Sequence, residues 1–493
     1  MPSPSGKCVS FVKKIGKFTT SRYSSRNYCA IELTHMFATN GRKPTVVSVD
    51  MGYGHLRAAA PLATALGVEI LHADQPPLAD AHERVHWARA RRFYEVMSRL
   101  SQLQVIGGAL DTVLDAVTSI PRLHPFRDLS APSFGARSLH RLIRRGLGSG
   151  LAQRLRETET ELLTTFYAPA IAAEYFGCQR IHCVVTDSDI NRVWAPFEPA
   201  KSQIRYFVPS RRAKRRLAAY GVPEQNIEFT GFPLPHELVG GPGLTAIRKG
   251  LPGRLARLDP EGAFREMYRE ELSQFLGPLP PEEERRPPLL VFAVGGTGTQ
   301  VGIARRLLPS FRKKILDGKI RIALVAGIRA EVAAKLQAAV LDAGLADRIG
   351  SGIEILMERD FDAYYRRFNQ LLARTDILCT KPSELTFYAA LGIPLILSSP
   401  VGVHEFSNRR WARESGAGLK QRDARYAAGW IDEWLADGIL AAAAWSGYRR
   451  LPKLGLYRIL NHFDSALPIA PPEPGVDGPE LPSSVAMNLR EKS

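Results

Sequence analysis

The sequence predicts an α/β protein made of two parallel-sheet domains, and three observations carry that prediction. A short β-branched strand, a glycine-containing loop and an apolar helix follow one another twice, once from Thr45 and again from Leu289. Further short apolar strands recur in each half between helical stretches, the pattern of parallel sheets joined by right-handed crossovers. Between the halves runs a stretch rich in proline, glycine and charge. A chain of 493 residues has room for two large domains or about three of ordinary size.

In chain order, residues 1–43 hold eight Lys or Arg and one acid, Glu32, with scattered serines and no sustained apolar run. They read as a basic arm, an organellar-type leader or sequence upstream of the true start, and stand outside the fold prediction. A first domain spans 44–235. Thr45 to Asp50 (TVVSVD) is its first strand, Met51-Gly52-Tyr53-Gly54-His55 the loop, and Ala58 to Leu66 the helix. Val68 to His72 and Ile181 to Thr186 extend the sheet as short β-branched or apolar runs. Arg84 to Leu103 sets Ala90, Phe93, Tyr94, Met97 and Leu100 at helical spacing, with arginines on the other faces. Such a helix packs its stripe on the core or lies on an anionic bilayer. Arg211 to Arg216 (RRAKRR) is open between a solvated helix face and a contact for phosphates.

Residues 236–288 contain GGPG, LPGR and PLPPEEERRPP, the composition of a linker or surface insertion. The second domain, 289–430, opens with Leu289 to Val294 (LLVFAV), the loop Gly295 to Gln300 and a helix through about Phe311. Ile320 to Val325, Ile353 to Met357, Ile377 to Cys379 and Pro394 to Leu397 are its further strands. Helices are expected over 431–467. From Pro468 onward, six prolines in 26 residues predict an extended, disordered tail.

Composition narrows the function. Apolar residues make up 45% and charged ones 23%, which excludes global disorder. No run reaches the roughly 18 continuous apolar residues of a membrane-spanning helix. The net charge is +17, with 50 arginines among 66 basic residues, so anions are the expected partners. Charge does not choose among nucleic acid, lipid headgroups and phosphorylated small molecules. Five cysteines (Cys8, Cys29, Cys178, Cys183, Cys379) lack a Cys-x-x-Cys pair and zinc-like spacing, which fits a reducing compartment and no structural metal.

Loops at the carboxyl ends of parallel strands hold the functional groups of such sheets. Gly295, Gly296, Thr297, Gly298, Thr299 and Gln300 carry no bulky side chain and precede a helix whose free N–H groups suit a diphosphate, or else form a plain tight turn. A dinucleotide fingerprint fails in the first loop, because Arg57 stands where the third glycine belongs. His55, near a helix N-terminus, is expected to stay neutral and able to take a proton from a hydroxyl, unless it merely caps the helix. Asp187, in Thr186-Asp187-Ser188-Asp189, orients a histidine or a sugar hydroxyl, or makes an Asx turn. TKPSELT brings Lys381, Ser383, Glu384 and Thr386, and PVGVHEFSN brings Glu405 and Asn408, to the edge that carries the second glycine loop. Paired carboxylates there suit the vicinal hydroxyls of a ribose or hexose.

Taken in order, these loops resemble a family of two-lobed glycosyltransferases: monogalactosyldiacylglycerol synthase, the bacterial diacylglycerol glucosyltransferases and, more distantly, the peptidoglycan N-acetylglucosaminyltransferase. The matching pieces run from about Val46 to Leu419. They are Gly52 to Ala59, TDSDINRVW (Thr186 to Trp194), Tyr206 to Pro233 closing in TGFP, the loop at Gly295, TKPSELT, and PVGVHEFSN with GAG at Gly416 to Gly418. The resemblance implies a GT-B fold, two Rossmann-like domains facing a central cleft, with a UDP-sugar donor on the second domain and an acceptor on the first. It implies His55 as base, the Gly296 loop at the diphosphate, Glu405 and Asn408 at the donor, and Gly52, Gly54 and Asn191 on the acceptor side. Asn191 stands where the family usually has His. The acid-bearing helix after the TKP motif is two residues short, so either Glu384 grips the ribose instead or that contact is lost.

The expectation is therefore an inverting, metal-independent hexosyltransferase with no cofactor beyond its nucleotide-sugar. A membrane lipid is its expected acceptor, an anionic membrane surface a further partner, and the location cytoplasmic and peripheral; nucleic acid is not expected. A nucleotide-sugar epimerase and a non-catalytic basic binding protein are the alternatives.

Overall fold

A computed structural model describes residues 43–50, 52–89, 120–276, 286–293, 300–400, 402–464, 470–473 and 475–477. Two six-stranded sheets organise them. The first runs β2-β1-β3-β4-β5-β6, from β1 (Thr45–Ser48), β2 (Ile70–His72), β3 (Leu162–Thr164), β4 (Ile181–Val184), β5 (Arg205–Val208) and β6 (Ile227–Phe229). The second runs β12-β11-β10-β7-β8-β9, from β7 (Leu289–Ala293), β8 (Arg321–Gly327), β9 (Ile353–Met357), β10 (Ile377–Thr380), β11 (Leu395–Leu397) and β12 (Gly418–Lys420). Every strand pair is parallel.

The central strands are largely apolar because both faces of each sheet are covered. In the first sheet the faces divide by alternation. Val46, Leu163, Val184 and Phe207 join an apolar cluster that continues into β7–β11 of the second sheet. Val47, Leu162, Cys183 and Tyr206 point into a separate cluster under the other face. Half of the first sheet's core is thus shared with the second domain.

Strand order fixes where a site can form. In the first sheet the chain leaves β1 for β2 and returns to place β3 on the opposite side; in the second it leaves β7 for β8 and returns to place β10 on the opposite side. Crevices open at such reversals, beyond the carboxyl ends of the strands. The segments that follow β1, β3 and β10 at these points carry His55, Thr165 and Lys381.

Several boundaries differ from those expected. Helix α1 spans Tyr53–Leu66, five residues earlier than predicted, so Tyr53, Gly54 and His55 form its first turn. Glu384–Leu391 is a 3-10 helix, and the PVGVHEFSN stretch already turns helical at Val403. These first turns read as loops in sequence because neither Gly52 nor Gly402 supplies a side-chain cap. The strands β3, β6 and β12, three residues each, are absent from the strands expected above, although β2 and β11, equally short, are among them.

Residues 236–288 are not a surface linker where they are described. Helix α2 (Thr245–Arg257) and two short helices, Ala263–Met267 and Arg269–Phe275, bury Ile247, Leu251, Leu255, Phe264 and Leu272 in the large cluster. Arg254 is buried there, donating to the carbonyls of Thr375, Leu391 and Gly392. Glycine, proline and arginine hid a core helix, because its polar side chains satisfy backbone carbonyls rather than water. The tail departs as well: Glu473 and Val476 are buried. Glu473 accepts from the Lys453 and Leu454 amides and pairs with Lys453 and Arg458. Residues 1–42, Met51, 90–119, 277–285, 294–299, 401, 465–469, 474 and 478–493 lie outside the described residues, and with them the basic arm, most of the Arg84 to Leu103 stripe and the Gly295 to Thr299 loop.

The last helix, Gly455–Leu460, crosses back to pack against α1. Beyond it His462 meets Arg205 at 2.8 Å and Glu228 at 2.7 Å, and Phe463 sets its ring against His182.

Candidate active site

His55 is half-buried at the N-terminus of α1. Its Nδ1 lies 2.8 Å from the Thr165 carbonyl and 3.3 Å from the Thr186 hydroxyl. A carbonyl only accepts, so Nδ1 carries the proton and Nε2 keeps its lone pair. Thr165 holds the arrangement twice, since its hydroxyl donates to the His55 carbonyl at 3.0 Å. The imidazole rests edge-on against Phe166. Burial pushes its pKa below the ordinary histidine value. Asp187, the Thr165 carbonyl and Glu384 pull the other way, while His404 reinforces the shift. The ring is neutral at pH 7, as expected, though burial leads the causes.

The Thr186–Asp189 stretch does not present two carboxylates to the cleft. Asp187 is half-buried and accepts from Asn408 at 2.9 Å. Asp189 turns inward to a two-point pair with Arg216, at 2.8 and 3.0 Å. This accounts for one arginine of RRAKRR: Arg216 is a buried counterion, not part of a solvated face. Asn191 is also buried, beside the short turn Arg192–Trp194.

From the second sheet, Lys381 donates to Glu405 at 2.9 Å. Burial alone would lower the ammonium's pKa, but Glu405, Glu384 and Asp187 outweigh it and hold Lys381 above the ordinary lysine value. Ser383 and Thr386 serve the local backbone: the Thr386 hydroxyl and amide both donate to the Ser383 carbonyl. Gln300 starts the helix Val301–Leu316 and donates to the Ser398 hydroxyl at 2.5 Å.

Two residues expected at the donor are committed to the protein itself. Asn408, 1% exposed, accepts from the amide and hydroxyl of Ser188 at 2.9 and 2.7 Å, and donates to Asp187 and to the Pro382 carbonyl. It ties the second lobe to the loop after β4. Glu384 pairs with Arg57, whose other nitrogen donates to the Tyr364 hydroxyl. Burial would raise the Glu384 carboxyl, but Arg57 and Lys381 bring it below the ordinary value. One carboxylate oxygen is thus engaged in the place where a ribose grip was expected. Gly54 has a protein partner too: a Cβ there would stand 3.1 Å from Glu384 Oε2. Gly52 is required by its φ of +111° and faces open space.

Sequence reasoning missed two residues. His404, in the first turn of the helix Val403–Glu414, faces His55 from the other lobe, and its Nδ1 is buried without a hydrogen-bond partner. Its signal was its place beside Glu405 in PVGVHEFSN. Arg57 read only as a misfit for glycine. A buried arginine needs paired acceptors, and nothing in the sequence marks Arg57 as the buried one.

With both sheets meeting at their carboxyl ends across His55, Glu384, Asp187 and Asn408, the fold is of the GT-B type, two parallel-sheet domains about one cleft. A family model described as a domain of unknown function (DUF6938) matches residues 341–457. No curated protein matches the chain. Among solved structures, MnaA from S. aureus with UDP has a TM-score of 0.44 at 13% identity, over 88% of this chain and 98% of that one. A glycosyltransferase from Rickettsia africae gives 0.38 at 14%, over 86% and 98%. A UDP-GlcNAc 2-epimerase from Methanocaldococcus jannaschii gives 0.40 at 12%, over 85% and 98%.

Proposed function

We propose that the protein binds a nucleoside diphosphate sugar, a UDP-sugar, between its sheets and transfers the sugar with inversion to an acceptor hydroxyl. The carrying observation is His55: with Nδ1–H held on the Thr165 carbonyl, Nε2 remains as a base at the first sheet's reversal point. In the reaction, Nε2 takes the acceptor O–H proton while the oxygen attacks the anomeric carbon. The bond from that carbon to the diphosphate breaks and its electron pair leaves with the phosphate. Lys381 and the helix that begins after Gln300 supply positive potential for the departing charge without a metal. Asp187 steadies the imidazolium that forms. The residues 295–299 would line the diphosphate. The narrower reading, a lipid acceptor reached from an anionic membrane surface, rests on the resemblance to the glycolipid enzymes and on the net charge. Among the described residues no helix is long and apolar enough to cross a membrane.

A second reading, epimerisation of the donor, is favoured by one observation. His55 and His404 come from opposite lobes, near enough that His404 lowers the His55 pKa, which brings a second imidazole as a proton carrier to the same cleft. Calorimetric titration with UDP and a panel of UDP-sugars, followed by product analysis with and without lipid acceptors, separates the readings. Transfer needs the acceptor, and epimerisation yields an isomer without it. His55→Ala should keep donor affinity and lose turnover by about 10²- to 10⁴-fold. Absence of any uridine nucleotide binding would end both readings.

A further inference from the structure

Arg57 follows His55 by two residues on the first turns of α1, and the residue is 4% exposed. It reaches out of the first lobe into the second. One nitrogen meets Glu384 and another meets Tyr364, a residue of the helix Phe361–Ala373. Aromatic rings surround it, with Tyr53, Tyr364 and Phe368 centred 5.3, 5.4 and 4.9 Å from the guanidinium carbon. Tyr53 adds a second bridge on the same turn, accepting from the Ile328 amide at 3.2 Å and lying against Gly327. The carboxylate that Arg57 engages also abuts the backbone beside the imidazole, through Gly54.

We propose that Arg57 is the positioning residue of the site: it fixes the His55 turn against the second sheet and neutralises a carboxylate that faces the imidazole. The inference deepens the reading of His55 as base and rests on it for its catalytic meaning. The groups that face His55 from each neighbouring element are Asp187 after β4, Glu384 after β10, His404 on the helix after β11, and the Thr165 carbonyl and Thr186 hydroxyl. Of the two carboxylates, Glu384 is the one held by an arginine. An unmasked Glu384 charge would favour the imidazolium, and an unmasked Arg57 charge would oppose it. A lysine keeps the charge and loses the two-point reach to Glu384 and Tyr364.

The test is histidine titration by NMR on the full-length protein labelled at His Cε1, with His55→Gln identifying the resonance. Arg57→Gln should raise the His55 midpoint by about one pH unit, Glu384→Gln should lower it, and the double variant should return it near the starting value. Arg57→Lys should leave the midpoint in place while lowering kcat more than it changes KM. If Arg57→Gln fails to fold, the lowered midpoint of Glu384→Gln and its return toward the starting value in the double variant carry the test, since the double variant leaves no buried charge alone. A midpoint unmoved in Glu384→Gln, or moved equally in the single and double variants, would overturn the proposal. The titration is independent of turnover: absence of any activity on nucleotide-sugars would defeat the functional reading and leave these shifts unchanged.

Discussion

A base that works at neutral pH must be unprotonated there, and His55 meets that condition through burial. Its folded pKa lies below the ordinary 6.5, so the neutral fraction stays high into mildly acidic solution and is lost only as pH falls through the lowered value. The acid limb of kcat/KM should therefore sit below pH 6.5, and Asp187→Asn, which removes an opposing carboxylate, should move it lower still. A limb at or above 6.5 in the parent would assign the titration to another group. At this scale the sequence was informative about which side chains gather and poor about what each one touches. His55 and Lys381, named from their places after strands, do come to the same two carboxylates, Asp187 and Glu384. Glu384 and Asn408 were assigned to a substrate because a lone sequence does not reveal that Arg57, Ser188 and Asp187 come to meet them.

At the level of elements, glycine and proline misled the reading of 236–288. Helix α2 keeps Gly250, Pro252 and Gly253 and still packs Ile247, Leu251 and Leu255 into the core, because Arg254 and Arg257 dock on the second sheet. Arg257 reaches Asp376, a fully buried carboxylate that also accepts from Arg286 and the Leu289 amide. Leu251→Ala should destabilise the protein by about 2 to 5 kcal/mol in denaturant melts, the cost of a core cavity. A change below about 0.5 kcal/mol, the range of exposed positions, would restore the segment to the surface. The strands β1, β4, β7, β8, β9 and β10, by contrast, were legible as short apolar runs, since burial on both faces leaves a largely continuous apolar signature.

Across the whole molecule, the two lobes are held at the cleft by Arg57 and Asn408 and behind it by the returning C-terminal segment. His182 sits in that rear contact, 3.1 Å from Glu161 and facing Phe207 and Phe463. Burial lowers its pKa to about 4, with Glu161 pulling upward and His462 and Arg205 downward. The unfolded chain, protonating near 6.5, then binds the proton more readily than the folded one, so stability falls as pH drops from about 6.5 toward 4. His182→Phe should flatten that acid decline in melts recorded between pH 7 and 4.5; an unchanged slope would place the acid sensitivity elsewhere. The overall architecture was readable because two copies of one strand, loop and helix pattern announced two sheets. The closeness of their union was not, since it depends on contacts between residues hundreds of positions apart.

The helix Gly455–Leu460 leaves the second lobe to lie on α1, and Leu456 and Leu460 share one apolar cluster with Ala58, Leu62 and Leu66. Neither half of the polypeptide is consequently a self-sufficient gene fragment. Expressed alone, the piece bearing the first sheet would carry a naked greasy flank, while its counterpart would trail an unattached amphiphilic appendage. Mixed together, the two fragments have every reason to find each other again.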